Sequence, residues 1–266
     1  MLGFHDLARR LGPDQPVYGL QAQGLDGKRP CHRRVEEMAA HYIEEIRRVQ
    51  PEGPYHLGGL SFGGAVAFEM ARQLRAQNQE VALVALFDTF PTNYKPSTSL
   101  IIKFLTLPMR LKFFYLLRKA KNLRRNTERK ISNIRLPRAL KEVRKANREA
   151  ARRYVAKPYD GHVVLFRASD KSLSTFDDLV VGWDELARGV LDTYEVTGDH
   201  LSIIAEPQVS ELANHLAQCL EKVRTADNQD HRSNSTVPRP LSLIVQPAAS
   251  VLEVSGTVLE INSRKF

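Results

Sequence analysis

Ser61 stands in the run Gly59-Leu60-Ser61-Phe62-Gly63, with Gly58 and Gly64 on either side. A serine hydroxyl is a weak nucleophile at neutral pH, so acyl chemistry requires a base beside it and donors for the oxyanion it creates. Glycines at 59 and 63 let a strand turn sharply into a helix while the serine is held out at the edge of a sheet. In that geometry the backbone N–H of Phe62 and the positive end of the following helix face the developing charge. The pattern therefore predicts a nucleophile elbow hinged on Gly59 and Gly63, with Phe62 as an oxyanion donor. A glycine-rich turn with an incidental serine is the bland alternative, and the strand before and helix after it weigh against that reading.

On such a platform the catalytic groups follow one another as serine, acid, histidine. His200, in Thr197-Gly198-Asp199-His200 after the last strand-like run, has the position the base requires. His5, His32 and His41 precede Ser61, His56 lies in the strand before it, His162 starts a later strand and His215 falls in the final helix. The acid must sit at the carboxyl end of a strand, where it orients the imidazole and stabilises its charged form. Asp88, after the run 81–87, and Asp170, after the strand ending in Phe166, both meet that condition, and the residues alone leave the two open.

The elements that must position these groups are legible as period. Val35, Met38, Ala39, Tyr42, Ile43, Ile46 and Val49 recur every three or four residues and predict a helix that stops near Gln50-Pro51. Residues 4–11 read as a short helix and 16–20 as a short buried strand. Residues 54–58 lead as a strand into Ser61, and 66–74 have helical composition. The unbroken apolar run 81–87 is typical of a parallel strand covered on both faces. Strands at 162–166 and 190–196, a helix around 183–188 and a last helix at 209–223 complete the alternation. Strands alternating with helices predict a mostly parallel α/β sheet flanked by helices.

A chain of 266 residues with 42% hydrophobic residues buries one sizeable core, and no stretch has the length of a membrane span. The opening Met1-Leu2-Gly3-Phe4-His5-Asp6 lacks the basic and apolar succession of a secretory signal, so a cytoplasmic location is expected. Cys31 and Cys219 are expected to be reduced thiols, and no metal-ligand spacing is present. Residues 1–225 are expected to form the catalytic body, 226–240 a polar linker and 241–266 a tail of moderate β character. Residues 96–157 read as an insertion, first apolar and then basic. Residues 101–157 hold 19 Lys or Arg against 3 acidic residues, a net of +16, so the rest of the chain is at −7 within a total of +9. Such asymmetry points to a local acidic partner, with a solvated helical face as the plainer reading.

The chain resembles the thioesterase domains that release products from nonribosomal peptide and polyketide synthases, members of the α/β-hydrolase fold. The matching residues are Pro16-Val17-Tyr18-Gly19-Leu20-Gln21, Gln50-Pro51-Glu52-Gly53-Pro54-Tyr55, the elbow through Gly64, Leu86-Phe87-Asp88 and Gly198-Asp199-His200. The resemblance runs over roughly residues 2–223 and is weakest in the insertion. It implies that the acid follows the strand directly after the nucleophile helix, which favours Asp88 over Asp170. It implies that 96–157 is a helical lid over an acyl channel, where Ile101, Phe104, Leu105, Met109, Phe113 and Leu117 would meet an acyl chain or simply pack. It implies a substrate presented on the phosphopantetheine of an acidic acyl or peptidyl carrier protein, steered by Lys119, Lys121, Arg124, Arg125, Arg129 and Lys130, with no metal or redox cofactor. Nucleic acid is a poorer partner, since the basic run has no interleaved aromatic beyond Tyr154.

One departure from the family stands out. A buried strand and a His/Pro- and Gly-containing loop, which supplies the second oxyanion donor, would precede residue 4, and neither is visible there. In the family that strand lies between the strand at 16–20 and the one entering Ser61. Three readings follow: a start further upstream, a weak or silent enzyme kept as a carrier-binding module, or a strand from the tail 241–266 filling the gap. A carboxylesterase or lipase on the same fold is the alternative enzyme.

Overall fold

The computed structural model describes residues 4–91, 137–169, 182–230 and 242–246. Six strands form one all-parallel sheet in the order β1-β6-β2-β3-β4-β5. Helix α1 (His5–Leu11) leads into β1 (Val17–Gly19), and α2 (Val35–Arg47) into β2 (Tyr55–Leu60). Helix α3 (Phe62–Ala76) follows β2 directly and leads into β3 (Val81–Phe87). After α4 (Arg138–Arg153) come β4 (His162–Ala168), a short helical segment at 182–186, and β5 (Val190–Val196). A 3-10 turn (Ser202–Ile204), α5 (Val209–Asp230) and β6 (Leu243–Gln246) end the described chain.

Side chains along a strand alternate between faces, so each buried strand feeds two cores. Leu57, Val84, Leu86, Val163 and Leu165 pack with α2 and α3 on one face. Leu60, Leu83, Ala85, Phe87, Val164 and Phe166 pack with α1 and α5 on the other. The strands β2 and β3 are buried along almost their whole length, which is why they read as continuous apolar runs with no polar alternation. The helix stripe expected from Val35 is buried through Ile46, whereas Val49 lies beyond the helix and is exposed.

Two boundaries differ from expectation. Helix α5 continues to Asp230, so the first five residues of the expected linker are helical. They are polar but contain no proline or glycine, and polarity alone does not stop a helix. The tail contributes β6, which lies between β1 and β2. Of the expected lid, α4 is described. The apolar residues at 101–117 and the basic residues Lys119, Lys121, Arg124, Arg125, Arg129 and Lys130 lie outside the described residues, as does Asp170.

Candidate active site

The turn from β2 into α3 carries Ser61 at φ 55° and ψ −119°, a left-handed conformation that a non-glycine residue adopts only when its surroundings impose it. Those surroundings are visible. The Ser61 N–H donates to the Phe87 carbonyl of β3 at 2.9 Å, and the Gly64 N–H donates to the Ser61 carbonyl at 3.1 Å, closing the first turn of α3. A Cβ on Gly59 would overlap the backbone of Gly63, so strand and helix meet there at a distance only glycine permits. A Cβ on Gly64 would strike Thr89, whose buried hydroxyl donates within reach of both the Gly59 and Phe87 carbonyls, at 3.3 and 3.2 Å. Gly63, also buried, forms the other wall of the Gly59 contact. Phe62 is the first residue of α3, and the N–H groups of a first turn have no partner within the helix.

Asp88 is the residue after β3, as Ser61 is the residue after β2, and the two strands end in register at Leu60 and Phe87. Ser61 and Asp88 are thereby set side by side at the carboxyl ends of the strands. The Asp88 side chain is 9% exposed, and its own backbone is held at φ 42° by donation of its N–H to the Phe166 carbonyl at 2.7 Å. One carboxylate oxygen, Oδ1, accepts the Ala168 N–H at 3.1 Å; the other, Oδ2, lies 2.6 Å from His200 Nδ1. With Nδ1–H donating to the carboxylate, the other ring nitrogen, Nε2, is left as an acceptor, and the side chain is 37% exposed. The loop that carries His200 is pinned by Asp199, whose Oδ1 accepts the N–H groups of Leu201 and Ser202 at 2.9 Å each. The Gly198 N–H, at φ 114°, donates to Ser169 Oγ at 3.1 Å, tying this loop to the end of β4.

Two supporting residues gave no signal in the sequence. Thr89 sits fully buried behind the elbow, and its carbonyl accepts the Trp183 indole N–H at 2.8 Å. A threonine after an aspartate and a lone tryptophan have no local pattern that announces such a contact. Other histidines stay apart from the site: His162 bonds Asp192 at 2.8 Å at the starts of β4 and β5, and His56 is buried in mid-sheet.

A parallel sheet covered by helices on both faces, with a strained serine at the β2–α3 turn and a histidine–carboxylate pair at the same edge, defines an α/β-hydrolase. The thioesterase domain family model matches residues 2–220, and the chain belongs to that family. It is 53% identical over 83 residues to malpibaldin synthetase of Mortierella alpina, a match to 31% of this chain and 2% of that protein. It is 46% identical over 93 residues to a dimodular nonribosomal peptide synthase of Bacillus subtilis, 35% of this chain and 4% of that one. The chain thus spans a small fraction of the curated relatives it matches. Among solved structures, the NocB thioesterase domain in covalent complex with a fluorophosphonate nocardicin G analogue superposes with a TM-score of 0.60 at 28% identity, over 82% of this chain and 88% of that one. Among the described residues no helix is long and apolar enough to cross a membrane.

Proposed function

We propose that the protein releases an acyl, peptidyl or polyketide chain from the phosphopantetheine thioester of a carrier protein, through an acyl-enzyme on Ser61. The observation that carries the reading is the 2.6 Å contact of His200 Nδ1 with Asp88, on the strand beside the strained serine. In the first step Ser61 Oγ attacks the thioester carbon while His200 Nε2 takes its proton. The Phe62 N–H stabilises the oxyanion, and the pantetheine sulfur departs with the proton that His200 returns. In the second step His200 draws a proton from water, or from a nucleophile within the acyl chain, whose oxygen or nitrogen bonds to the acyl carbon while Ser61 Oγ leaves and takes that proton back from His200. Asp88 keeps the imidazole in the required tautomer and stabilises it when charged. The substrate brings its own pantetheine arm, and the scheme needs no further cofactor. Carrier docking falls to the basic insertion, with Lys119, Lys121, Arg124, Arg125, Arg129 and Lys130 as the steering set and α4 extending the same charge.

The test is thiol release from acyl-pantetheine substrates. Ser61→Ala should lower kcat by about 10³-fold or more, with the thermal midpoint unchanged or raised as the strain at this residue relaxes little. Faster turnover of simple oxygen esters than of thioesters would replace this reading with a carboxylesterase. Carrier binding without any labelling of Ser61 by a fluorophosphonate would replace it with a silent binding module.

A further inference from the structure

The sheet is not assembled in chain order. Strand β6 pairs with β1 through Val17↔Leu243, Tyr18↔Ile244 and Gly19↔Val245, and with β2 through His56↔Leu243 to Gly59↔Gln246. It thus separates the first two strands of the chain while coming from its far end, and both its edges are hydrogen-bonded. Among the described residues β1 has no other strand partner, so β6 alone joins it to the sheet. The Leu243 N–H also donates to the Pro16 carbonyl at 2.9 Å. Side chains show the same centrality: Leu243, fully buried, packs in the core under α1 and α5, and Ile244, 3% exposed, packs in the core under α2 and α3. A strand buried on both faces and paired on both edges is the inside of a parallel sheet.

Its removal would open a gap one strand wide between β1 and β2, about 9–10 Å from strand to strand, with rows of backbone N–H and C=O groups left without partners in the core. The gap would lie beside the nucleophile, since Gln246 is in register with Gly59, two residues before Ser61. The family match over 2–220 ends before this strand.

Helix α1 shows where that strand belongs in the order of elements. The Phe4 ring, just ahead of α1, lies 5.8 Å from the ring of Phe87 at the carboxyl end of β3, so α1 starts at the edge of the sheet where β6 ends. It finishes before β1 at the opposite edge, and Leu7 shares the core of Leu243. Spatially, β6, α1 and β1 are arranged as strand, helix and strand of one unit. The end of α5 is close to the other end of β6, because Arg224 Nη2 donates to Gln15 Oε1 at 3.2 Å, next to Pro16.

We infer that residues 242–246 are a complementing strand: the seam between β1 and β2 is a parallel-strand binding groove that the chain fills with its own distant segment. This segment is a positioning element for Ser61 and takes no part in the chemistry. The covalent link through 231–241 is then dispensable once the strand is seated.

The test places a site-specific protease sequence within 231–241 of the full chain and cuts it after folding. The carboxyl-terminal fragment should co-elute with the body on gel filtration, fluorophosphonate labelling of Ser61 should stay within about twofold of the uncut protein, and amides of β1 and β2 should keep their protection from hydrogen exchange. In the same protein Leu243→Pro removes the donor to Pro16 and should release the fragment on cutting, with loss of that protection and a fall in labelling of about 100-fold. Release of the unaltered fragment with labelling and protection intact would overturn the inference, and so would indifference of the cut protein to Leu243→Pro. Release accompanied by loss of both would also overturn it, since the groove would then not hold the strand without the covalent link. The inference does not depend on the catalytic reading: if Ser61 resists labelling in the uncut protein the proposed function fails, while exchange protection still decides the strand.

Discussion

Ser61 and Asp88 share an unusual backbone property, positive φ in residues other than glycine, and each is the first residue past the end of its strand. Such conformations cost about 1–3 kcal/mol apiece and persist only where the surrounding contacts over-determine them. Here the contacts are the bond from Ser61 to Phe87 and the bond from Asp88 to Phe166, which hold each turn against the next strand. Ser61 and Asp88 are thus held by the sheet, while His200 comes from a loop. Asp88→Asn should keep the fold, because an amide oxygen can still accept the Ala168 N–H, yet it would no longer fix the tautomer of His200. Thiol release should fall by about 10³- to 10⁴-fold in kcat with little change in KM. Equal activity in Asp88→Asn and the parent would return the acid's role to Asp170.

At the scale of the element, α4 divides its residues by function. Val143, Ala146, Asn147 and Ala150 form its buried face, and seven Lys or Arg against two Glu give the helix a net charge of +5. Its inner end is anchored where Arg33 bonds Glu149 at 2.9 Å and where the Tyr154 hydroxyl donates to the buried Glu69 at 2.9 Å. Lys145 and Arg148 are exposed on the outer face. If an acidic carrier docks here, the double variant Lys145→Glu and Arg148→Glu should raise KM for a carrier-bound thioester several-fold at low salt. It should leave the free acyl-pantetheine substrate unaffected, and the difference should shrink as ionic strength rises. An unchanged KM for the carrier-bound substrate would make the face a solvated one.

At the scale of the whole molecule, His56 reports on how the layers close. It is fully buried in β2 opposite Leu243 of β6, and neither ring nitrogen has a hydrogen-bond partner among the described residues. Burial, with a smaller contribution from Arg224 of α5, lowers its pKa to about 4 from the usual 6.5. The folded protein therefore refuses a proton that the unfolded chain accepts between those two values, and in that window the unfolded state binds more protons. Stability is fully present above pH 6.5 and falls as pH drops through 4, by on the order of 3 kcal/mol from this group. In His56→Phe the loss between pH 6.5 and 4 should flatten by that amount in urea unfolding, and an identical slope in parent and variant would show that His56 is solvated.

Most of the local elements were legible from period and punctuation: 81–87 as a continuous apolar strand, 35–46 as an apolar stripe, Ser61 among its glycines. Each of these depends on residues within a few positions of one another, where sterics and burial leave their mark in the sequence itself. Triad order on this fold also singled out His200, which the structure places 2.6 Å from Asp88. For the acid the residues alone left Asp88 and Asp170 open and only the family resemblance favoured Asp88; the 2.6 Å approach of His200 Nδ1 to Asp88 is a contact that no local pattern announces. Thr89, Trp183 and above all β6 belong to the same class. Leu243 and Ile244 form a short apolar run that carries no address, and their place between β1 and β2 is decided by backbone bonds to residues more than 180 positions away. Strand pairing matches peptide groups that are the same in every residue, so the identity of a distant partner is settled only when the whole core closes around it.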